Sequence, residues 1–273
     1  MTQLLNDTVF VETKYGKIYS WQDDMITRQL QRFSAHTRNE IAMLGDFIRK
    51  GDSVIDVGAH IGTFTLPFAI FTGIDGEVLS IEGSTKNFDL LRHNIAINQH
   101  QNVILRKAVV SDSKHSFVMH SPLGGNTGAY QFIHCENASD PEAVHSLTLD
   151  EIIDADMPNR RIDLLKVDVE GCEMDVLKGA SEMLSRDTPA LYVEINKDVL
   201  NERKVDFTEI LNFLRDSGYH LFRNIGHRNS TIDRYSIEKI TSFDELPDLF
   251  DVLAISPNRN DLYGRLSSIM GEA

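Results

Sequence analysis

The chain has 273 residues, 41% hydrophobic and 25% charged, with a formal net charge of −14 and two cysteines, Cys135 and Cys172. That length and composition fit one soluble α/β domain, alone or with appended pieces, and no apolar run approaches the roughly 20 residues that span a bilayer. So acidic a surface disfavours nucleic acid and anionic membranes, two cysteines exclude a disulfide framework, and an N-terminus with neither a basic nor an apolar region argues against secretion, so the expected setting is the cytoplasm.

Residues 8–22 read as two short strands around Tyr15-Gly16-Lys17. A helix follows with Ile41, Leu44, Phe47 and Ile48 on one face, closing near Gly51. Strands and helices then alternate: strand 54–57, helix 63–71, strand 77–82, helix 85–98 with Phe88, Leu91 and Ile95 on one face, and strand 103–107. The alternation stops over about 113–147, where strand-like pieces at 116–120 and 129–134 flank a glycine-rich stretch from Leu123 to Gly128. This reads as a hairpin or lid-like insertion, which can pair with its twin in a homo-oligomer or stay a lid. Helix 149–154, strand 162–169, helix 172–184, strand 190–195, helix 207–217 and strands 219–223 and 249–256 complete the pattern. It predicts a mostly parallel sheet covered on both faces, and the poorly helical link between the last two strands predicts an antiparallel pair at one edge. The expected organisation is an N-terminal β extension (1–35), a main domain (36–257) carrying the insertion, and a C-terminal tail (258–273).

Chemistry concentrates first at residues 54–64, where an apolar strand runs into Asp56, Gly58, Ala59, His60 and Gly62 and then a helix. A glycine turn at a helix N-terminus lets a small molecule lie against bare backbone and favours an anionic group. Glu82, ending the next strand, stands where a carboxylate takes two ribose hydroxyls. A dinucleotide site reads G-x-G-x-x-G, its middle glycine admitting the pyrophosphate. Here that glycine is missing, His60 adds bulk, and Asp56 would repel a pyrophosphate but attract an ammonium. An S-adenosylmethionine molecule, with its amino acid head, sulfonium and ribose and no phosphate, suits the turn better than NAD.

The stretches Val54–Thr65, Ser80–Gly83, Leu91–Asn98, Lys107–Asp112 and Leu164–Ala180 resemble the FkbM-type methyltransferases, in order, over roughly Gly51 to Asn196. The segment Lys166-Val167-Asp168-Val169-Glu170-Gly171-Cys172-Glu173 is the most specific part, although Cys172 stands where such proteins often carry His. The resemblance implies a class I, Rossmann-type α/β fold with a sheet of seven strands, mostly parallel with an antiparallel edge pair. It also implies S-adenosylmethionine-dependent transfer of a methyl group to a hydroxyl of a small molecule, sugar or other glycan.

In an open α/β sheet the ligand lies outside the carboxyl ends of the strands. The expected cofactor residues are therefore Asp56, Gly58, Ala59 and Gly62 in the turn, Glu82 and Gly83 at the ribose, Lys107, Ala108 and Val109 along the adenine, and Asp168 beside the methyl. A hydroxyl is a poor nucleophile, so a general base helps; Asp168 and Glu170 are candidates, and His60 is another because its ordinary pKa lies near neutrality. Glu194 and Asn196 are expected to orient the acceptor, or only to cap their strand. Met119, Tyr130 and Phe132 either wall the acceptor pocket or pack the insertion onto the sheet. Asp168, Glu170 and Glu194 have the oxygens a divalent cation takes, but nothing in their spacing demands a metal, and no zinc spacing occurs. Competing readings are an NAD-linked oxidoreductase and a non-catalytic cofactor-binding module, and methylation of nitrogen is a variant of the leading one.

Overall fold

The structure is a computed structural model that describes residues 4–120, 131–135 and 144–270. After a 3-10 turn at Leu4–Asp7, β1 (Thr8–Thr13) and β2 (Gly16–Trp21) form a hairpin across Lys14 and Tyr15. Two helices follow, α1 (Met25–Phe33) and α2 (Arg38–Phe47). The first is absent from the sequence reading; its Asp24 cap accepts the Ile26 amide, and Ile26 and Leu30 face the core. The alternating segment is β3 (Ser53–Val57), α3 (Thr65–Thr72), β4 (Glu77–Glu82), α4 (Thr85–Asn98) and β5 (Val103–Lys107).

β6 (Val109–Val110) precedes the expected insertion, which carries β7 (Ser116–His120), β8 (Gln131–His134) and β9 (Val144–Leu147), and the four strands join in the order β6-β9-β7-β8. The glycine-rich stretch from Leu123 to Gly128 and Tyr130 lie outside the described residues. The chain continues as α5 (Leu149–Asp156), β10 (Leu164–Val167), α6 (Glu173–Lys178) and α7 (Ser181–Asp187). One helix was expected over 172–184; the chain bends at Gly179, where a Cβ would lie 2.2 Å from the Ser111 carbonyl oxygen. The Asp150 carboxylate accepts the Glu182 and Met183 amides to start α7 afresh. Last come β11 (Ala190–Asn196), α8 (Lys197–Glu202), α9 (Phe207–Asp216), β12 (His220–Asn224), β13 (Ile237–Lys239), β14 (Leu249–Ile255) and α10 (Asn260–Met270).

The main sheet has the order β13-β12-β14-β11-β10-β3-β4-β5. β11, β10, β3, β4 and β5 are parallel, and β14 lies antiparallel between β11 and β12. The sheet is thus the expected class I methyltransferase-like one, with one correction. It has eight strands rather than seven, because β13 adds a three-residue edge. β12 and β14 form the expected antiparallel pair, with β13 outside them.

Alternation along each central strand divides the core. Ile55, Leu79, Leu165 and Val193 face α5, α6, α7 and α9, while Val54, Val78, Leu164 and Tyr192 face α2, α3 and α10. A third cluster lies beneath the hairpin, α1 and α4. There the Asn94 side chain of α4 accepts the Tyr19 amide at 2.8 Å and donates to the carbonyls of Tyr19 and Ile61 at 2.9 Å each, satisfying the hairpin edge and bracing the residues after β3. Among the described residues, no helix is long and apolar enough to cross a membrane. The chain leaves β3 toward β4 and β5, then returns to β10 on the other side, so a topological switch point lies between β3 and β10.

Candidate active site

At the end of β3 the chain turns through Gly58 (φ +79°), His60 (φ +50°) and Gly62 (φ +98°) before α3 begins. The amides of Gly58 and Ala59 both donate to the Ile81 carbonyl at 3.0 Å, folding the turn over β4. A Cβ on Gly58 would lie 1.8 Å from the Asp168 carbonyl oxygen, so glycine is required for the ends of β3 and β10 to meet.

A cavity of about 410 Å³ opens at this switch point. On its β4–β5 side it is lined by Gly58, Ala59, His60, Glu82, Gly83, Ala108 and Val109. Glu82 is nearly buried; its Oε2 accepts the His60 amide at 2.9 Å and its Oε1 the Ser84 amide at 2.7 Å. Burial pushes its pKa up to about 7 against the pull of those amides. Phe132 of β8 also lines the cavity, its ring 2.7 Å from where a Cβ on Gly83 would stand. The Phe132 carbonyl accepts from Arg203 Nη2 at 2.8 Å, while Arg203 Nη1 reaches Cys172 Sγ at 3.1 Å, so Arg203 fastens β8 to the start of α6. Burial pushes the Cys172 thiol up to about 12, which leaves it protonated and unreactive.

Three residues expected at the cofactor do not line the cavity. Asp56 is fully buried beneath the turn, where it accepts Thr65 Oγ1 at 2.7 Å and pairs with Lys166 Nζ at 3.1 Å. Its carboxylate positions Lys166 and the start of α3 instead of meeting an ammonium. Gly62 backs onto Leu91 of α4, and Lys107 points into solvent because side chains alternate along β5. Met119 is exposed and also stands outside the cavity.

The β10–β11 side holds the expected Asp168, Glu170, Glu194 and Asn196. Carboxylate oxygens of Asp168, Glu170 and Glu194 lie within 4.8 Å of one another. Glu170, in the left-handed region (φ +51°), is pushed up to about 8 by burial and then by the charges of Asp168 and Glu173. Burial and Asp168 also raise Glu194. For Asp168, burial opposes ionisation but is outweighed by Lys166 at 3.3 Å and by the hydrogen bond to Glu194, so its carboxyl is held below the ordinary value. Asn196 both lines the cavity and caps α8 by accepting the Val199 amide.

The model of the methyltransferase FkbM domain matches residues 56–221, more than half of the chain. The chain belongs to this family. This FkbM-domain chain is accordingly a methyltransferase. It is 28% identical over 192 residues to the hexuronic acid methyltransferase AglP of Haloferax volcanii, covering 67% of this chain and 75% of that one. Among solved structures it is similar to methyltransferase FkbM of Methylobacillus flagellatus (TM-score 0.46, 14% identity, 74% of this chain). It spans 43% of that chain, less than half its length. A similar likeness holds to a SAM-dependent methyltransferase of Aquifex aeolicus (TM-score 0.45, 16% identity, 85% of this chain and 93% of that one).

The FkbM-domain site contains residues that the sequence reading passed over. Lys166 is buried in a strand of apolar neighbours; burial opposes its charge, and Asp56 and Asp168 outweigh that and keep it protonated. A lysine inside such a run requires carboxylate partners, and that is the signal by which it was findable. Arg228, in the connection between β12 and β13, pairs with Glu194 and Asp251 at 2.9 Å each. His36 lines the cavity with Nδ1 2.6 Å from Gln29 Oε1, and burial, then Arg228, lowers its pKa to about 3, so it is neutral. Neither residue has a local signal, since both reach the site from irregular segments.

Proposed function

We propose that this methyltransferase takes its methyl group from S-adenosylmethionine and transfers it to a hydroxyl of a small molecule or sugar. The observation that carries this reading is one cavity with an amide-held carboxylate, Glu82, on one side of the switch point and an ionised one, Asp168, on the other. The residues present fit the cofactor. Each Glu82 oxygen accepts one amide and keeps lone-pair capacity for a ribose hydroxyl, Gly58 offers bare backbone, and Ala108, Val109 and Phe132 supply apolar surface for a base. A pyrophosphate would have to pass His60 and face Glu82 and Asp168, which disfavours a nicotinamide dinucleotide.

The cofactor supplies an already activated methyl on a sulfonium, so the protein's work is alignment of the acceptor and removal of its proton. Asp168, held ionised by Lys166, accepts the hydroxyl proton. Glu194, tied to Arg228, and Asn196 orient the acceptor. His60, on the Glu82 side, is a second candidate base.

Calorimetric titration with S-adenosylhomocysteine tests the reading: saturable binding is expected, with none for NADH. Asp168→Asn is expected to retain that binding while lowering turnover by about 100-fold or more. Binding of NADH in place of S-adenosylhomocysteine would overturn the assignment, and binding without methyl transfer to any hydroxyl would favour a non-catalytic module.

A further inference from the structure

The matched methyltransferase domain begins at residue 56 and ends at 221, and the residues assigned to the cofactor all lie inside it. The cavity wall continues outside that range, through Met25, Gln29 and His36 on one flank and Arg228 and Asn229 on the other. The two flanks are joined to each other: Arg38 Nε donates to Asp233 Oδ1 at 2.7 Å, and the Asn39 amide to the Arg228 carbonyl at 3.3 Å. Within this wall His36 stands between Ser34 (φ +59°) and Thr37 (φ +37°), two non-glycine residues in the left-handed region. Such conformations cost energy and gather where a side chain is held for use.

His36 Nδ1 lies 2.6 Å from Gln29 Oε1, an amide oxygen that only accepts, so Nδ1 carries the proton. In a neutral imidazole the bond made by one ring nitrogen fixes the role of the other, so the lone pair is on Nε2. The ring is neutral, because burial and then Arg228 oppose its protonation against the pull of Asp168. Nε2 has no hydrogen-bond partner among the described residues, yet protein does not enclose it: His36 is half-buried and lines the cavity, so Nε2 keeps surface that a ligand can reach. The ring stands edge-on to Phe64, which also lines the cavity, with centroids 6.3 Å apart. A lone pair so placed takes an O–H donor and repels a carboxylate or phosphate oxygen.

We propose that His36 Nε2 accepts a hydrogen bond from a second, non-reacting hydroxyl of a sugar acceptor while Asp168 takes the reacting one, with Gln29 as the positioning residue that holds the imidazole in the required tautomer. This role rests on the proposed transfer of a methyl group to a hydroxyl and narrows its substrate class, since an acceptor that engages both residues carries at least two hydroxyls. His36 and Asp168 line the same cavity and act on each other's charge, which puts both within reach of one sugar.

The test uses NMR of the full chain, isotopically labelled at the histidine nitrogens and saturated with S-adenosylhomocysteine, with the methyl glycosides of glucose, galactose and mannose as probes. At neutral pH the His36 ring is expected as the Nδ1–H tautomer, and at least one hexoside is expected to shift Nε2 as an accepted hydrogen bond does. His36→Phe, which keeps a ring against Phe64, is expected to weaken that hexoside by about five-fold, the effect of one lost hydrogen bond, with S-adenosylhomocysteine affinity unchanged. Removing the hydroxyls of the probe one at a time identifies the partner. One deoxy hexoside is expected to bind about five-fold more weakly than its parent to the wild-type chain and equally to His36→Phe, a coupling that a merely structural role would not produce. Gln29→Ala is expected to lose the single tautomer and to weaken the same hexoside. With S-adenosylhomocysteine bound, an Nε2–H tautomer, no hexoside contact, or a full deoxy series without coupling to His36 would each overturn the role, and the tautomer and contact readouts need no variant to fold. Failure of S-adenosylhomocysteine itself to bind would instead remove the cofactor reading beneath it.

Discussion

Buried carboxyls set the behaviour of individual residues. Burial raises Glu82 and Glu173 from an ordinary 4.5 to about 7, and Glu40 and Glu170 to about 8. The unfolded chain releases these protons near the ordinary value. Between about 4.5 and 8 the folded state therefore binds more protons than the unfolded one, and the unliganded protein is expected to lose stability as pH rises across that window. Thermal melts through this range check the sign. Ribose hydroxyls donating to Glu82 favour its ionised form, so binding of S-adenosylhomocysteine should release protons and tighten as pH rises through about 7. Calorimetry in two buffers of different ionisation enthalpy measures that release. If Glu82→Gln leaves the release unchanged, Glu82 is not the ribose carboxylate.

The meeting of β3 and β10 is the critical contact between elements. Gly58 combines a positive φ with an approach to the Asp168 carbonyl that admits no side chain. Gly58→Ala is expected to lower stability by about 2–5 kcal/mol, strain and overlap combined, read from the midpoint of urea unfolding. A mutant that retained wild-type stability would mean that β10 moves away from the turn without penalty. Elements that package the site follow the same logic of backbone contact. Gly179 breaks the helix expected over 172–184 because the chain crosses Ser111 there, and Arg203 fastens β8 by its main-chain carbonyl, not by a side-chain pattern.

For the molecule as a whole, stability comes from a sheet buried on both faces. The expected C-terminal tail contributes: its α10 packs on α2 and buries Leu262 and Leu266 in the cluster that holds Leu44, Phe47 and Val54, while Arg265 pairs with Asp52. Leu262→Ala is therefore expected to destabilise the protein by about 2–5 kcal/mol, measured by urea unfolding. A change well below that range would show that α10 is not part of the cooperative core.

Local chemistry determined much of this protein in advance. The apolar runs 54–57, 77–82 and 190–195 become strands because a parallel sheet buried on both faces needs uninterrupted apolar sequence, and the turn glycines and Glu82 follow directly from such a strand end. Asp168, Glu170, Glu194 and Asn196 were legible for the same reason, lying at or just beyond the carboxyl ends of their strands. Tertiary structure alone decided that Asp56 lies beneath the cleft holding Lys166, that Lys107 faces solvent, and that His36, Arg228 and Asn229 line the cavity. Periodicity reports a side chain only through the element that carries it. Residues brought in by irregular connections, like the ion pairs that hold them, exist only once distant segments have packed together.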